Sequence, residues 1–275
     1  MKSLRSAWKV AACGVLALLA SRSAAQEPSA PRSALARPVV IGASVSSGFG
    51  LARGLDAALE ASLVLEHEPV RAWASELFFM QPLQMGPSQV EQALDAEPSA
   101  VIAIDFLFWF GYGASNVAGA PITSEDERLA LLERGLACLE EIECPLVVGD
   151  FPDMSLAVGK MLAPAQMPAL ETLPRLSARV RAWAAERENT IVVPLFELVQ
   201  RLRSKEAVRI GRHAWPAGTR LLQPDDLHPT LEGMAGIAQL VADELVQRGL
   251  AREADVSFDL PALLAKLRPE RAAAK

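Results

Sequence analysis

Pro38-Val39-Val40-Ile41-Gly42-Ala43-Ser44-Val45-Ser46-Ser47-Gly48-Phe49-Gly50 is the stretch on which the reading of this chain turns. The apolar run 38–41 reads as a short buried strand that Gly42 closes. Ser44 follows at the mouth of that strand, and Gly42 and Gly48 permit a tight turn around it. A second segment lies about 180 residues downstream: Asp225-Asp226-Leu227-His228-Pro229-Thr230, ahead of a helical stretch. It sets an acid and a histidine three residues apart on one turn of chain.

Outward from the first segment, short apolar strands alternate with helical periodicities. Leu51, Leu55, Leu59 and Leu63 recur four apart and predict a helix over 51–65. Residues 70–79 are an ambiguous apolar stretch that could hold a second strand. Gly86 reads as a turn before a helix over 87–96. Ala100-Val101-Ile102-Ala103-Ile104 is the clearest strand in the chain. A leucine-rich amphipathic helix over 125–141, a strand over 145–148 closed by Gly149, and a long helix over 168–188 follow. Residues 190–193 read as a strand, 195–203 as a helix, 207–222 as an irregular excursion or hairpin, and 231–248 as the closing helix. Strands separated by helices in this way indicate βαβ units and a parallel sheet covered on both faces. The domain is expected over 38–250, with a flexible leader over 26–37 and a tail over 251–275.

Lys2, Arg5 and Lys9, an apolar core over 11–20, and Ser23-Ala24-Ala25 give residues 1–25 the form of a cleaved signal peptide. That apolar core spans ten residues, whereas a bilayer-spanning helix needs roughly 20. The expectation is therefore a secreted or periplasmic chain with no integral membrane span once mature. Losing Lys2, Arg5, Lys9 and Arg22 would lower the formal net charge of −6 by four, to −10. So acidic a surface argues against nucleic acid or anionic membrane as the main partner. Cys138 and Cys144 remain, spaced equally well for a disulfide or for two buried thiols.

In a parallel α/β sheet, ligands gather at the carboxyl ends of the strands, which is where Ser44 is expected. A serine hydroxyl is a weak nucleophile until a base takes its proton. His228 is the natural base, and Asp225 can hold its ring in the required tautomer. Gly42-Ala43-Ser44-Val45 and Asp225-Asp226-Leu227-His228-Pro229, in this order, resemble the Gly-Asp-Ser-Leu and Asp-x-x-His blocks of the SGNH (GDSL-type) hydrolase family. The resemblance spans roughly residues 38–248. It implies a three-layer α/β/α sandwich on a parallel, flavodoxin-like sheet, and ester hydrolysis through an acyl-serine without a cofactor or metal. It also implies an oxyanion hole built from the serine amide, a glycine before the second helix, and an asparagine after the third strand.

The Ser44 amide and Gly86 are the matches for the first two of those donors. Leu107 stands where the asparagine is expected. Of the two asparagines in the chain, Asn189 precedes its strand, which leaves Asn116, brought back by its loop. Loss of one oxyanion donor costs roughly 3–4 kcal/mol in the barrier, a hundred- to thousandfold in rate. Two functional readings follow: an exported serine esterase acting on a small-molecule, acyl or sugar ester, or a binding or accessory domain that keeps the fold with impaired catalysis.

The aromatic stretch 106–113 follows the third strand and also admits two readings. Phe108 and Trp109 could form an apolar substrate pocket on a loop freed by Gly111 and Gly113, or the segment could be packing beneath that loop. Asp105, Asp150 and Asp153 each follow a strand, an arrangement that could hold a hard cation, though carboxylates at strand ends are common in α/β folds. His67, among Glu66 and Glu68, reads as solvated, and His213 as structural.

Overall fold

The computed structural model describes residues 33–268, so the signal-peptide reading of 1–25 lies outside the described residues. Five parallel strands form the central sheet: β1 (Pro38–Gly42), β2 (Arg71–Ala74), β3 (Ala100–Ala103), β4 (Leu146–Gly149) and β5 (Thr190–Val193). Their order is β2-β1-β3-β4-β5, the flavodoxin-like arrangement. The register pairs Val39 with Val101 and Val40 with Ile102. The ambiguous stretch 70–79 resolves into β2 and a 3-10 turn over Glu76–Met80.

The apolar runs bury alternate residues on opposite faces, as a strand period of two requires. Val39, Ile41, Val101 and Ala103 enter one core with Val90, Leu131 and Leu176. These come from helices α3 (Pro82–Asp95), α5 (Glu125–Cys138) and α6 (Thr172–Ala185). Val40, Ala100 and Ile102 enter the other core with Leu59, Val241 and Leu263, from α2 (Leu55–Ser62), α8 (Leu231–Gln247) and α9 (Leu260–Leu267). The result is an α/β/α sandwich. The remaining α-helices and strands are α1 (Ser44–Ser47), α4 (Phe108–Gly111), α7 (Leu195–Arg203) and an antiparallel hairpin of β6 (Val208–Ile210) and β7 (His213–Trp215).

Two sequence expectations change here. Residues 33–37 of the expected leader are packed: Ala34 and Leu35 are buried, the Ala34 amide donates to the Leu250 carbonyl at 2.9 Å, and the Ser33 hydroxyl donates to Asp255 at 2.8 Å. Two apolar side chains sealed against the second core outweigh the turn-forming composition of the stretch. The second change concerns Gly86, which opens no helix; α3 begins at Pro82 and carries Pro87 inside it. A Cβ at Gly86 would stand 3.1 Å from Phe110 Cζ and 3.3 Å from Phe106 Cζ. The glycine is there so that α3 can approach the aromatic rings closely, and not to make a turn.

Among the described residues no helix is long and apolar enough to cross a membrane. Cys138 and Cys144 are both free thiols. Burial raises the pKa of each, that of Cys144 to about 11.

Candidate active site

The sheet order reverses between β1 and β3, and the crevice at their carboxyl ends is where such folds place ligands. Ser44 emerges there from β1 as the first residue of α1. Gly42 makes this exit possible, because its φ of +145° and its missing side chain admit Asp105. A Cβ at Gly42 would lie 2.2 Å from Asp105 Oδ1 and 2.7 Å from Ser46 Oγ. Buried Gln89, from α3, grips the same residue, accepting from the Gly42 amide and donating to its carbonyl, both at 2.9 Å.

Asp105, which follows β3, organises the serine turn. Its Oδ1 receives the Ala43 amide at 3.0 Å and the Ser46 hydroxyl at 2.5 Å. Its Oδ2 receives the Val45 amide at 2.8 Å and the Ser46 amide at 3.2 Å. Burial pushes the carboxyl above its ordinary range against the pull of these donors. The Ser44 amide alone in this turn donates to no acceptor among the described residues, so it is free to face a ligand.

The second segment folds as an Asx turn. Asp225 Oδ1 receives the Leu227 and His228 amides, both at 3.0 Å, with Asp226 at φ +58°. Thr230 caps α8, its hydroxyl oxygen receiving the Gly233 amide at 3.2 Å. The turn brings Asp225 Oδ2 to 2.7 Å from His228 Nδ1. On the far side of the ring, His228 Nε2 lies 2.9 Å from Ser44 Oγ. A proton on Nδ1 is held by the carboxylate, which leaves Nε2 as the acceptor for the serine hydroxyl. Burial draws the Asp225 pKa upward, but the His228 and Leu227 amides and the imidazole outweigh it and hold the carboxyl below its ordinary value.

Two further residues fasten the serine and histidine segments together. Phe49 stacks on the His228 ring, centroids 4.2 Å apart and planes at 28°. Gln223 Nε2 donates to the Phe49 carbonyl at 2.8 Å and to the Pro229 carbonyl at 2.9 Å. The sequence offers no local signal for Gln223. Phe49, lying between two glycines of the serine segment, is the one aromatic that position could have flagged.

Of the expected oxyanion donors only the Ser44 amide stands free at the site. Gly86 lies inside α3 under Phe106 and Phe110, so its place in the site is corrected to a packing role. Asn116 is also corrected. Its amide donates to Glu127 at 2.8 Å, and its oxygen receives the Ala118 and Ala120 amides at 3.0 and 3.1 Å, so it shapes its own loop. Leu107 is buried in the first core.

Phe108 and Trp109 do line a cleft together with Ser44. Their segment is tied down, contrary to the mobility expected from Gly111 and Gly113. Buried Arg128 donates to the carbonyls of those glycines at 2.7 and 3.1 Å, and the Tyr112 hydroxyl donates to the Pro152 carbonyl at 2.5 Å. The three aspartates weighed for a cation are each engaged separately: Asp105 with the serine turn, Asp150 with Arg181 at 2.6 Å, and Asp153 with Arg203. His67 lies 3.8 Å from Glu60, and His213 Nε2 lies 3.0 Å from Gln239 Oε1.

No protein-family model and no curated protein matches the chain. Among solved structures it is similar to a Bacteroides fragilis protein assigned as an acylhydrolase (BF3764), with a TM-score of 0.50 and 15% identity over 78% of this chain and 88% of that one. A gut microbial diltiazem-metabolizing enzyme (BT4096) gives a TM-score of 0.49 and 14% identity over 77% of this chain, which spans only 47% of that protein's length. The psychrotrophic esterase EstA from Pseudoalteromonas sp. gives 0.45 and 11% over 77% of this chain and 97% of that one. At such identities the likeness to the B. fragilis protein establishes the α/β fold and nothing finer.

Proposed function

We propose that this chain is an exported serine hydrolase that cleaves carboxylic esters through an acyl-serine intermediate, as a divergent relative of the SGNH hydrolases. The observation that carries the reading is the continuous chain from Asp225 through His228 to Ser44, at 2.7 and 2.9 Å. Ser44 Oγ attacks the ester carbonyl while His228 Nε2 takes its proton. Asp225 keeps the ring oriented and stabilises the imidazolium that forms. The oxyanion turns toward the Ser44 amide. Collapse expels the alcohol, which receives the proton from His228, and a water activated by the same imidazole releases the acid. Export rests on the form of residues 1–25 alone.

A second reading, a binding or accessory domain with impaired catalysis, draws on Leu107, Gly86 and Asn116, none of which supplies an oxyanion donor. Each missing donor slows such chemistry a hundred- to thousandfold, and two of the expected three are absent; the unbroken relay from Asp225 through His228 to Ser44 keeps the esterase reading ahead. An alkyl fluorophosphonate probe and a panel of p-nitrophenyl esters test the pair. The esterase predicts labelling and turnover that vanish in Ser44→Ala and His228→Ala. A folded wild-type protein that neither labels nor turns over any ester leaves the binding domain.

A further inference from the structure

The helix with the clearest apolar stripe in the fold is α7, where Leu195, Leu198, Val199 and Leu202 share one face. Of these only Val199 is buried. An amphipathic helix ordinarily seals such a stripe into a core. Here Leu195, Leu198 and Leu202 are half-buried against the second core and also line a cavity of about 90 Å³ shared with Ser44, Trp109, Met154 and Ile237. Ile237 comes from α8, so the cavity runs from the end of β1 past β3 and β4 into the gap between two helices. Its polar lining is confined largely to Ser44, Asp105 and Asp150. Both carboxylates are already engaged: Asp105 by the serine turn, and Asp150 by Arg181 and by the Phe196 amide at 2.7 Å. Apart from Ser44, these two carboxylates and the Trp109 indole, the lining side chains are apolar.

We infer that this cavity receives the acyl chain of the ester, and that the substrates are esters of apolar acids longer than acetate. The inference rests on the serine-hydrolase reading. A cavity of about 90 Å³ is several times the roughly 10–15 Å³ that one water needs, so it takes an apolar group larger than a methyl. The acyl side is assigned to the cavity because the leaving alcohol must take its proton from His228, which does not itself line the cavity although its neighbours Leu227 and Pro229 do. Sugar acetates, which present a methyl group and a polar alcohol, leave the cavity empty.

The test is a series of p-nitrophenyl esters from acetate to dodecanoate, with a parallel series of acetates of lengthening alcohols. Values of kcat/KM should rise about fourfold per acyl methylene, the equivalent of roughly 0.8 kcal/mol for each CH2 buried. The rise should stop once the acyl chain fills the cavity and should be absent from the alcohol series. Leu198→Ala should move the optimum to longer acids, and Leu202→Trp should lower the octanoate-to-acetate ratio by at least tenfold, with thermal melting verifying that each variant is folded. A profile that is flat or falls from acetate onward, or a gain that follows the alcohol chain, overturns the acyl assignment and leaves the hydrolase reading standing. Absence of both turnover and Ser44 labelling overturns the hydrolase reading itself, and the acyl assignment with it.

Discussion

The Asp105 carboxylate closes on Ser46 from the neighbouring strand, accepting its hydroxyl at 2.5 Å and its amide at 3.2 Å. With the Ala43 and Val45 amides added, four donors of the serine turn depend on one side chain from another strand. Asp105→Ala would leave the three amides without an acceptor, and the Ser46 hydroxyl with only the Ile41 carbonyl at 3.4 Å, at about 1–3 kcal/mol per orphaned group. A loss of about 3 kcal/mol or more is expected, which lowers Tm by roughly 6–12 °C in a domain of this size. Asp105→Asn keeps one acceptor oxygen and should fall between. A thermal melt of Asp105→Ala within about 2 °C of the parent would remove this carboxylate from the scaffold.

Asp225 has two separable duties. Its Oδ1 holds the Leu227 and His228 amides, and its Oδ2 holds the imidazole. Asp225→Asn can retain the first duty through its amide oxygen but disturbs the ring tautomer. The protein should therefore fold while kcat drops on the order of ten-thousandfold, the loss met when the acid of a Ser-His-Asp triad is amidated. The folded pKa lies below the ordinary value, while an unfolded aspartate titrates near 3.9. Its stabilising contribution is thus complete above that unfolded value and drains away as pH falls through the lower folded one. Melting at pH 7 and pH 3 should show the Tm gap between parent and Asp225→Asn shrinking in acid. An equal gap at both pH values contradicts the depressed pKa.

Ser44, Asp225 and His228 are legible from the sequence because each sits in a short segment whose local chemistry announces it, and the three meet in the structure. The alternating core was equally legible, since β1 and β3 carry uninterrupted apolar runs. What escaped is tertiary. Asp105 acts on Val45 from 60 positions away, and no spacing rule links them. Gly86-Pro87 signals a helix start as well as it signals a glycine needed for close packing, and only the rings of Phe106 and Phe110 decide between the two. The apolar stripe of α7 is plain in the sequence, but that three of its leucines also line the cavity beside Ser44 depends on tertiary packing.

Phe49 lies on the face of the His228 ring at 4.2 Å, so it restricts the tilt of the imidazole between Asp225 and Ser44. Aromatic pairs of this kind contribute about 0.5–1.5 kcal/mol beyond their buried area. Phe49→Ala should accordingly lower kcat about two- to tenfold with a smaller change in KM. Phe49→Tyr, which keeps the stacked face, should recover most of the loss. Equal kcat in Phe49→Ala and the parent would show that Asp225 alone sets the ring.

Gly86→Ala separates packing from catalysis at the position where the two were confounded. Replacing glycine by alanine within α3 gains about 1 kcal/mol of helix propensity. The new methyl meets Phe110 Cζ at 3.1 Å and Phe106 Cζ at 3.3 Å, and both rings are fully buried. Overpacking such a site costs about 1–3 kcal/mol, so the net loss should be up to about 2 kcal/mol, read as a fall in Tm. Because the Gly86 amide lies inside the helix, kcat/KM of the folded variant should stay within about threefold of the parent, against the hundredfold or greater loss that follows removal of an oxyanion donor. A stable Gly86→Ala protein with kcat reduced a hundredfold would return Gly86 to the reaction and displace it from the packing role assigned here.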